Sequence, residues 1–228
     1  MRIAAMLLAF LGLFSIVPAS AQTSRVVPSN RPEPPSPSDP ENLWLLDLST
    51  GGRVTIWLRP DVAPETVERI KTLTREKFYD GLTFHRVIEG FMAQSGDPEG
   101  TGQGGSELPD VKAEFNYLPH VRGAVGAARE GAPPGADEET RTKAENSANS
   151  QFYIMFAPRL SLDRDYTVFG RVIDGMEYVD TITRGQPPAN PTRILHAWIA
   201  ADDPPAYQPP APRELPEGEE RVTLPGAE

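Results

Sequence analysis

The chain has 228 residues, which is enough for one or two domains with a sizeable buried core. Its formal charge of −10 gives no sign of the basic surface that binds a phosphate backbone, so the composition disfavours nucleic acid as a partner. Cysteine is absent, which excludes disulfides, thiol catalysis and cysteine-ligated zinc.

The N-terminus has the pattern of a secretory signal. Arg2 is followed by an apolar run from Ile3 to Val17 and then by Ala19-Ser20-Ala21. This order predicts a signal peptide over residues 1–21, cleaved after Ala21. The alternative is a membrane anchor, but the run is shorter than the roughly 20 residues of a spanning helix. We therefore expect an exported protein, in the periplasm or outside the cell, with no membrane association after cleavage.

Two proline-rich segments flank a central region of ordinary composition. Of the 25 prolines, 13 lie within residues 22–40 and 204–225. Such segments bury too little apolar surface to offset the entropy lost on ordering. We interpret residues 22–41 as a Pro/Ser-rich linker and residues 202–228 as an acidic, disordered tail. Residues 42–201 are then the folded domain.

The first elements of this domain are a hairpin and a helix. Leu43–Leu48 and Arg53–Leu58 are predicted strands joined by a turn that contains Gly51-Gly52. Pro64 suits the first turn of a helix, where its missing N–H has no intrahelical partner. Val67, Ile70 and Leu73 then repeat at helical spacing, which predicts that one face of this helix is buried.

Short strands dominate the rest of the domain. A second helix is predicted over Met176–Arg184, closed by Gly185. The predicted strands are Thr83–Ile88, Phe91–Ser95, Gly123–Ala128, Gln151–Phe156, Tyr166–Ile173 and Arg193–Ala201. Many short strands with only two helices indicate a mainly β protein, an antiparallel barrel or sandwich, and argue against alternating βαβ units.

Three patterns that often mark function carry little weight in this chain. Residues 100–105 match the glycine fingerprint of dinucleotide sites, but Asp97-Pro98-Glu99 precedes them, so a strand does not lead into this predicted loop. The histidines His85, His120 and His196 are too far apart for a metal-ligand motif, so we expect no metal. Serine also never occurs in the G-x-S-x-G arrangement of acyl-transfer enzymes.

The stretch from Phe84 to Pro98 holds the densest group of chemically unusual residues. Arg86 lies on a predicted strand among aromatic and sulfur-containing side chains, where a permanent charge is expected only if it is paired or used. Pairing with Glu89 or Asp97 is one explanation, and a functional role is the other. The segment alone does not decide between them.

Four motifs together resemble the cyclophilin family of peptidyl-prolyl isomerases. Residues 84–97, FHRVIEGFMAQSGD, are similar to the family pattern F-H-R-x-I-x-G-F-x-x-Q-x-G-D. Residues 123–129, 150–154 and 166–172 are similar to three further family motifs, in the same order. The resemblance covers about residues 43–201. It implies an eight-stranded antiparallel cyclophilin-like β-barrel capped by two α-helices, and cis-trans isomerisation of X–Pro bonds.

The resemblance also implies a site and its partners. Arg86 matches the catalytic arginine, and no cofactor or metal is expected. The positions that match substrate contacts are His85, Phe91, Met92, Gln94, Ala128, Arg129, Gln151, Tyr153, Leu162 and Tyr166. Partners would be proline-containing peptides and unfolded or folding polypeptides, bound by a monomer. The alternative is a non-catalytic, chaperone-like module that binds such peptides without turnover.

Several positions depart from the family pattern. The family has Phe where Tyr153 stands and often His where Tyr166 stands. Many members carry a large aromatic residue where Ser161 aligns, and its loss implies weaker binding of cyclosporin with isomerase activity retained. The connection over residues 130–149 is longer than usual, and the sequence offers no purpose for it.

Overall fold

The strands of this protein form one curled antiparallel sheet. The structure is a computed structural model that describes residues 31–209. Its strands are β1 (Leu43–Leu48), β2 (Gly52–Leu58), β3 (Arg86–Ile88), β4 (Met92–Ser95), β5 (Ala124–Ala127), β6 (Phe152–Met155), β7 (Val168–Asp174) and β8 (Ile194–Ile199). Their order is β3-β4-β6-β5-β7-β2-β1-β8. Backbone hydrogen bonds between residues 81–84 and 192–194 connect the two edges of this order.

The predicted mainly β, eight-stranded antiparallel fold is therefore confirmed, with strand ends within three residues of prediction. Strands β1 and β2 form the expected hairpin, in register from Leu43 opposite Trp57 to Leu48 opposite Gly52. Gly51 in its turn has a φ of 114°, which side chains other than that of glycine rarely tolerate. The predicted signal peptide, most of the predicted linker and the end of the predicted tail lie outside the described residues.

Three α-helices accompany the sheet: α1 (Pro64–Arg75), α2 (Glu138–Glu145) and α3 (Met176–Asp180). Helix α2 was not predicted, because it buries only Ala144 and so has no apolar periodicity. Its signals are electrostatic: Asp137 accepts a hydrogen bond from the N–H of Thr140, and Lys143 lies in the last turn. Helix α3 is shorter than the predicted Met176–Arg184: it ends at Asp180 with Thr181 as its C-cap, and Gly185 pairs with Val87 beside the sheet.

The core lies between the sheet and α1. Val67, Ile70 and Leu73 are at most 3% exposed, as the helical spacing predicts. They join a cluster whose largest members are the fully buried rings of Trp44, Tyr79, Phe84, Phe152 and Phe169. A second, smaller cluster contains Met92, Tyr153 and Met155. This smaller cluster supports the candidate site. In the described part of the chain, no helix has the length and apolar character needed to span a bilayer.

Residues before and after the predicted domain, residues 42–201, also contact it. Asp39 caps the short 3-10 turn over Pro40–Asn42, and Glu41 forms an ion pair with Arg75 of α1 at 3.2 Å. On the other side, Arg53 of β2 donates a hydrogen bond to the Pro205 carbonyl at 2.7 Å. The Tyr207 hydroxyl donates to the carbonyl of Leu48 at 3.0 Å. Residues 205–207 thus lie against the first hairpin.

Ending the chain at Asp203 is expected to lower the melting temperature by roughly 4–8 °C, because each of the two lost hydrogen bonds stabilises the fold by about 1 kcal/mol and each kcal/mol shifts the melting temperature of a domain this size by roughly 2–4 °C. A chain ending at Pro209 keeps both bonds and should melt within about 1 °C of the full chain. Calorimetry of the two truncated proteins checks this. Equal melting temperatures would show that residues 204–209 contribute nothing to stability.

Candidate functional site

A cavity of about 180 Å³ opens beside β4, β5 and β6. It is lined by Arg86, Phe91, Met92, Gln94, Ala128, Arg129, Tyr153, Leu162 and Tyr166. The structure thus brings together nine of the eleven residues that the sequence suggested. The aromatic and aliphatic members form an apolar wall, and two guanidinium groups and one amide provide its polar edge.

Strand pairing explains why these distant residues meet. Gln94 on β4 lies opposite Arg86 on β3 and opposite Tyr153 on β6, so the three form one row across the sheet. Side chains of directly opposed residues point to the same face of a sheet. The register of β4 alone therefore places the charge, the amide and the aromatic ring beside one cavity.

Arg86 is held by amides rather than by acids. Its Nη1 donates to Oε1 of Gln94 at 3.2 Å, and its Nε donates to Oε1 of Gln186 at 3.3 Å. Among residues 31–209 it makes no ion pair. Glu89 pairs with Arg184 instead, and Asp97 accepts backbone N–H groups. The structure thus excludes the pairing of Arg86 with Glu89 or Asp97 that the sequence left open.

Gln94 belongs to a chain of hydrogen bonds that ends in the glycine loop. Its Nε2 donates to Oε1 of Gln151 at 2.8 Å, and Nε2 of Gln151 donates to the Gly104 carbonyl at 2.7 Å. The sequence-predicted residue Gln151 does not line this smaller cavity, but orients Gln94 from one step behind it and lines a larger neighbouring cavity. Residues 100–105 are a loop, as their context predicted.

Asp97 holds this loop in place. Its carboxylate accepts the N–H of Glu99 at 2.8 Å and the N–H of Gly102 at 2.5 Å. Burial by itself would raise the pKa of Asp97, but the backbone hydrogen bonds outweigh it and hold that pKa below its ordinary value. The carboxylate is therefore ionised at neutral pH, and its role is to fix backbone.

His85, the remaining predicted site residue, lies behind the site. It is 5% exposed and does not line the cavity. Its two ring nitrogens have no hydrogen-bond partner within the described residues. Burial, the largest effect, lowers the pKa of this imidazole, so the ring is neutral at pH 7.

A second, larger cavity of about 680 Å³ continues from the first. The two share Gln94, Ala128 and Arg129. The remaining wall comes from Gln151, Asp110, the glycine loop and both ends of the long connection, including Glu130, Ser147 and Asn149. Hydrogen bonds from Ser106 and to the Leu108 carbonyl fix the Asn149 amide. The connection of unknown purpose thus forms one side of a groove, which the sequence motifs did not reveal.

Arg129 differs from Arg86 in its partners. It lies over the Tyr166 ring at 4.4 Å and donates to the Asp165 carbonyl at 3.1 Å. Its Nη2 is also 3.9 Å from the Asp165 carboxylate. Arg129 therefore braces the Tyr166 wall, whereas Arg86 has no acidic neighbour in ion-pair contact.

Tyr153 places a buried hydroxyl in the cavity wall, and two residues that sequence reasoning missed account for it. His120 accepts from this hydroxyl, and Asp163 accepts from His120. In the sequence, His120 is identifiable only as one of three widely separated histidines. Nothing in the sequence pattern signals a contact between side chains 33 residues apart.

In residues 31–209, no group of three or more histidine, aspartate or glutamate side chains is placed to hold a metal ion. The site instead combines a small apolar cavity, a fixed cation and a polar groove for extended backbone. Such a combination suits binding and electrostatic polarisation of a peptide that carries a compact apolar ring.

Known proteins are similar to this chain in both sequence and fold. The family described as cyclophilin type peptidyl-prolyl cis-trans isomerase/CLD matches residues 45–199. A relative in Brucella suis named "Probable peptidyl-prolyl cis-trans isomerase" is 45% identical over 183 residues, covering 73% of this chain and 87% of the relative. Peptidyl-prolyl cis-trans isomerase B of Bacillus subtilis is 39% identical over 140 residues, covering 60% of this chain and 88% of that protein.

Solved structures give the same result. A cyclophilin from Hirschia baltica matches with a TM-score of 0.61 and 28% identity, over 72% of this chain and 76% of that one. A Cryptosporidium parvum cyclophilin type isomerase, solved in the presence of the dipeptide Ala-Pro, matches with a TM-score of 0.60 and 25% identity. That match covers 69% of this chain and 98% of the other. The family match spans well over half of the sequence, and the chain belongs to the cyclophilin-type peptidyl-prolyl cis-trans isomerases.

Proposed function

We propose that this isomerase binds the proline ring of X–Pro peptides in the 180 Å³ cavity and uses Arg86 to promote rotation of the bond. One observation carries the proposal: a guanidinium without an acidic partner is fixed at the edge of a small apolar cavity. The Ala-Pro dipeptide named for the Cryptosporidium structure supports the choice of ligand class.

The chemistry requires no bond to be made or cleaved. Rotation about a peptide C–N bond has a barrier of about 18–20 kcal/mol, because resonance gives the bond double-bond character. As the bond twists, the lone pair returns to the prolyl nitrogen, which then accepts a hydrogen bond. An Arg86 N–H that donates to this nitrogen stabilises the twisted state more than the planar one, and so raises turnover.

The other residues bind the two sides of the X–Pro bond in different parts of the site. Phe91, Met92 and Leu162 provide the dry surface against which the proline ring rests. Gln94 and the larger polar groove bind backbone of the extended peptide next to it. One side of the bond is thereby held fixed while the other rotates. A general base, nucleophile or cofactor has no part in this mechanism.

The natural substrates proposed here are exported polypeptides that are still folding. Support comes from the sequence of residues 1–21, whose charge, apolar run and small residues are typical of a signal peptide. Uncatalysed X–Pro isomerisation takes tens to hundreds of seconds, slow enough to limit folding. An isomerase in the periplasm would shorten this step for newly exported chains.

Arg86→Ala is expected to lower kcat/KM by roughly 10²–10³, because single preorganised donors contribute about that much to a rate. The change should leave the fold intact, since Arg86 is partly exposed. A protease-coupled assay on an Ala-Xaa-Pro-Phe peptide, with circular dichroism alongside, measures both. Arg171→Ala removes an exposed arginine on β7 and is the matched control. Full activity in a folded Arg86→Ala protein would contradict this mechanism and favour a purely peptide-binding role.

Ser161→Trp is expected to tighten cyclosporin inhibition at least tenfold while kcat/KM changes less than about twofold. Ser161 is exposed in the 3-10 turn over Leu160–Leu162, so an indole there can face a ligand without disturbing the core. A large aromatic contact at an interface is worth roughly 2 kcal/mol. Inhibition curves for the native protein, Ser161→Trp and the control Ser161→Ala measure the effect. Native inhibition already at low nanomolar cyclosporin would overturn the assigned role of Ser161.

Expression of the full chain in a Gram-negative host should yield a periplasmic protein whose first residue is Gln22. Cell fractionation and N-terminal sequencing measure location and cleavage. Ala21→Arg is the matched change, because cleavage requires a small residue at this position. A product that keeps Met1 in both proteins would refute the export proposal.

A further inference from the structure

The inner wall of the cavity contains a buried hydroxyl that needs a partner. Tyr153 is 6% exposed and belongs to the apolar cluster with Met92 and Met155. A buried hydroxyl without a hydrogen bond destabilises the conformation that buries it. The ring can therefore form this wall only where a neighbouring residue accepts a hydrogen bond from its hydroxyl.

Gly126 gives the hydroxyl its space. It lies on β5 directly opposite Tyr153, and a Cβ atom at position 126 would overlap the tyrosine Oη and Cζ atoms. Any other residue at this position would displace the ring. Tyr153 and Gly126 thus fit each other, and the hydroxyl passes over the β5 backbone towards a third element.

The hydrogen-bond partner of the hydroxyl is His120, which is fully buried. Its Nε2 lies 2.8 Å from the Tyr153 hydroxyl, and its Nδ1 lies 2.9 Å from Oδ1 of Asp163. A carboxylate only accepts, so the ring proton is on Nδ1, which leaves Nε2 to accept from the tyrosine. The backbone N–H of His120 donates to the same Asp163 oxygen at 2.8 Å.

These bonds connect separate parts of the cavity wall. Asp163 directly follows Leu162, which lines the cavity, and the N–H of Arg159 donates to the His120 carbonyl at 2.8 Å. His120 therefore holds both sides of the turn over Leu160–Leu162 and, through its imidazole, the ring of Tyr153. Neither His120 nor Asp163 lines the cavity itself.

We infer that His120 and Asp163 are positioning residues that fix Tyr153 and Leu162 and thereby set the affinity of the cavity for proline. This inference rests on the proposed role of the cavity. The wall contacts the proline ring both before and during rotation. Interactions of that kind change KM and leave kcat nearly unchanged.

The electrostatics of the triad agree with this geometry. Burial, the largest effect, lowers the pKa of His120, although Asp163 opposes it, so the imidazole stays neutral and able to accept at pH 7. Burial alone would raise the pKa of Asp163, but the hydrogen bonds from His120 outweigh it and keep that pKa low. The acceptor chain from tyrosine to carboxylate is thus intact at neutral pH.

The test compares His120→Leu and Asp163→Ala with wild type, by KM and kcat for an X–Pro peptide and by Kd from an NMR titration. Both variants should raise KM and Kd by about fivefold to tenfold with kcat within about twofold, as expected for a loosened ground-state contact. His196→Leu is the matched control. It removes a second histidine–carboxylate pair, with Asp80 at 3.1 Å, on β8.

Two further proteins separate positioning from a general loss of stability. Asp163→Asn keeps an oxygen acceptor for both N–H groups of His120 and should recover most of the affinity lost in Asp163→Ala. In the double variant His120→Leu, Tyr153→Phe, no hydroxyl is left unpaired, so KM should return towards that of Tyr153→Phe alone. Effects of His120→Leu that are equal in both backgrounds would overturn the inference.

The remaining outcomes are also decisive. Unchanged KM and Kd in folded His120→Leu and Asp163→Ala would refute positioning. If His120→Leu does not fold by circular dichroism, the comparison of Asp163→Ala with Asp163→Asn decides, because the Asp163 side chain is 31% exposed and tolerates exchange. The role of Arg86 is judged in a separate protein, by the roughly 10²–10³-fold loss of kcat/KM expected in Arg86→Ala, so its failure would be visible independently of these KM measurements.

Discussion

The site depends on keeping one guanidinium fixed in position without neutralising it. Other arginines of the described chain meet acids within 3.2 Å: Arg53 with Asp47, Arg59 with Asp61, Arg122 with Asp180 and Arg184 with Glu89. A carboxylate in that position would satisfy Arg86 and screen its field at the substrate amide. The protein instead uses the neutral oxygens of Gln94 and Gln186, which orient the charge and leave it effective.

Much of the surrounding structure serves this requirement. Gln94 can accept from Arg86 because its own amide nitrogen is committed to Gln151. Gln151 in turn requires the glycine-loop carbonyl of Gly104, and that loop is held by the buried Asp97. One ionised carboxylate therefore acts on the arginine only at a distance, through backbone and two amides. This spacing separates the charge that organises the loop from the charge that acts on substrate.

The fold and most of the site were predictable from sequence, because they depend on local patterns. The Gly51-Gly52 turn identified the first hairpin, helical spacing identified α1, and the four family-like motifs contain eight of the nine residues that line the cavity, all but Leu162. Helix α2 escaped notice because it has almost no buried face. Gln186 and His120 were missed for a different reason. Gln186 contacts Arg86, which is 100 positions away in the chain, and His120 contacts Tyr153, which is 33 positions away. Only the folded sheet establishes these contacts.

The two ends of the long connection over residues 130–149 are joined at what we call its neck, and this has a practical consequence. The N–H of Glu130 donates to the Ser147 hydroxyl at 2.8 Å, so the two ends of the excursion meet where it leaves and rejoins the barrel. Beyond that neck, α2 buries only Ala144, and the connection contributes to the groove wall through residues at or next to the neck. The intervening residues are therefore a natural insertion point, where a reporter or an affinity handle can be placed beside the groove without rebuilding it.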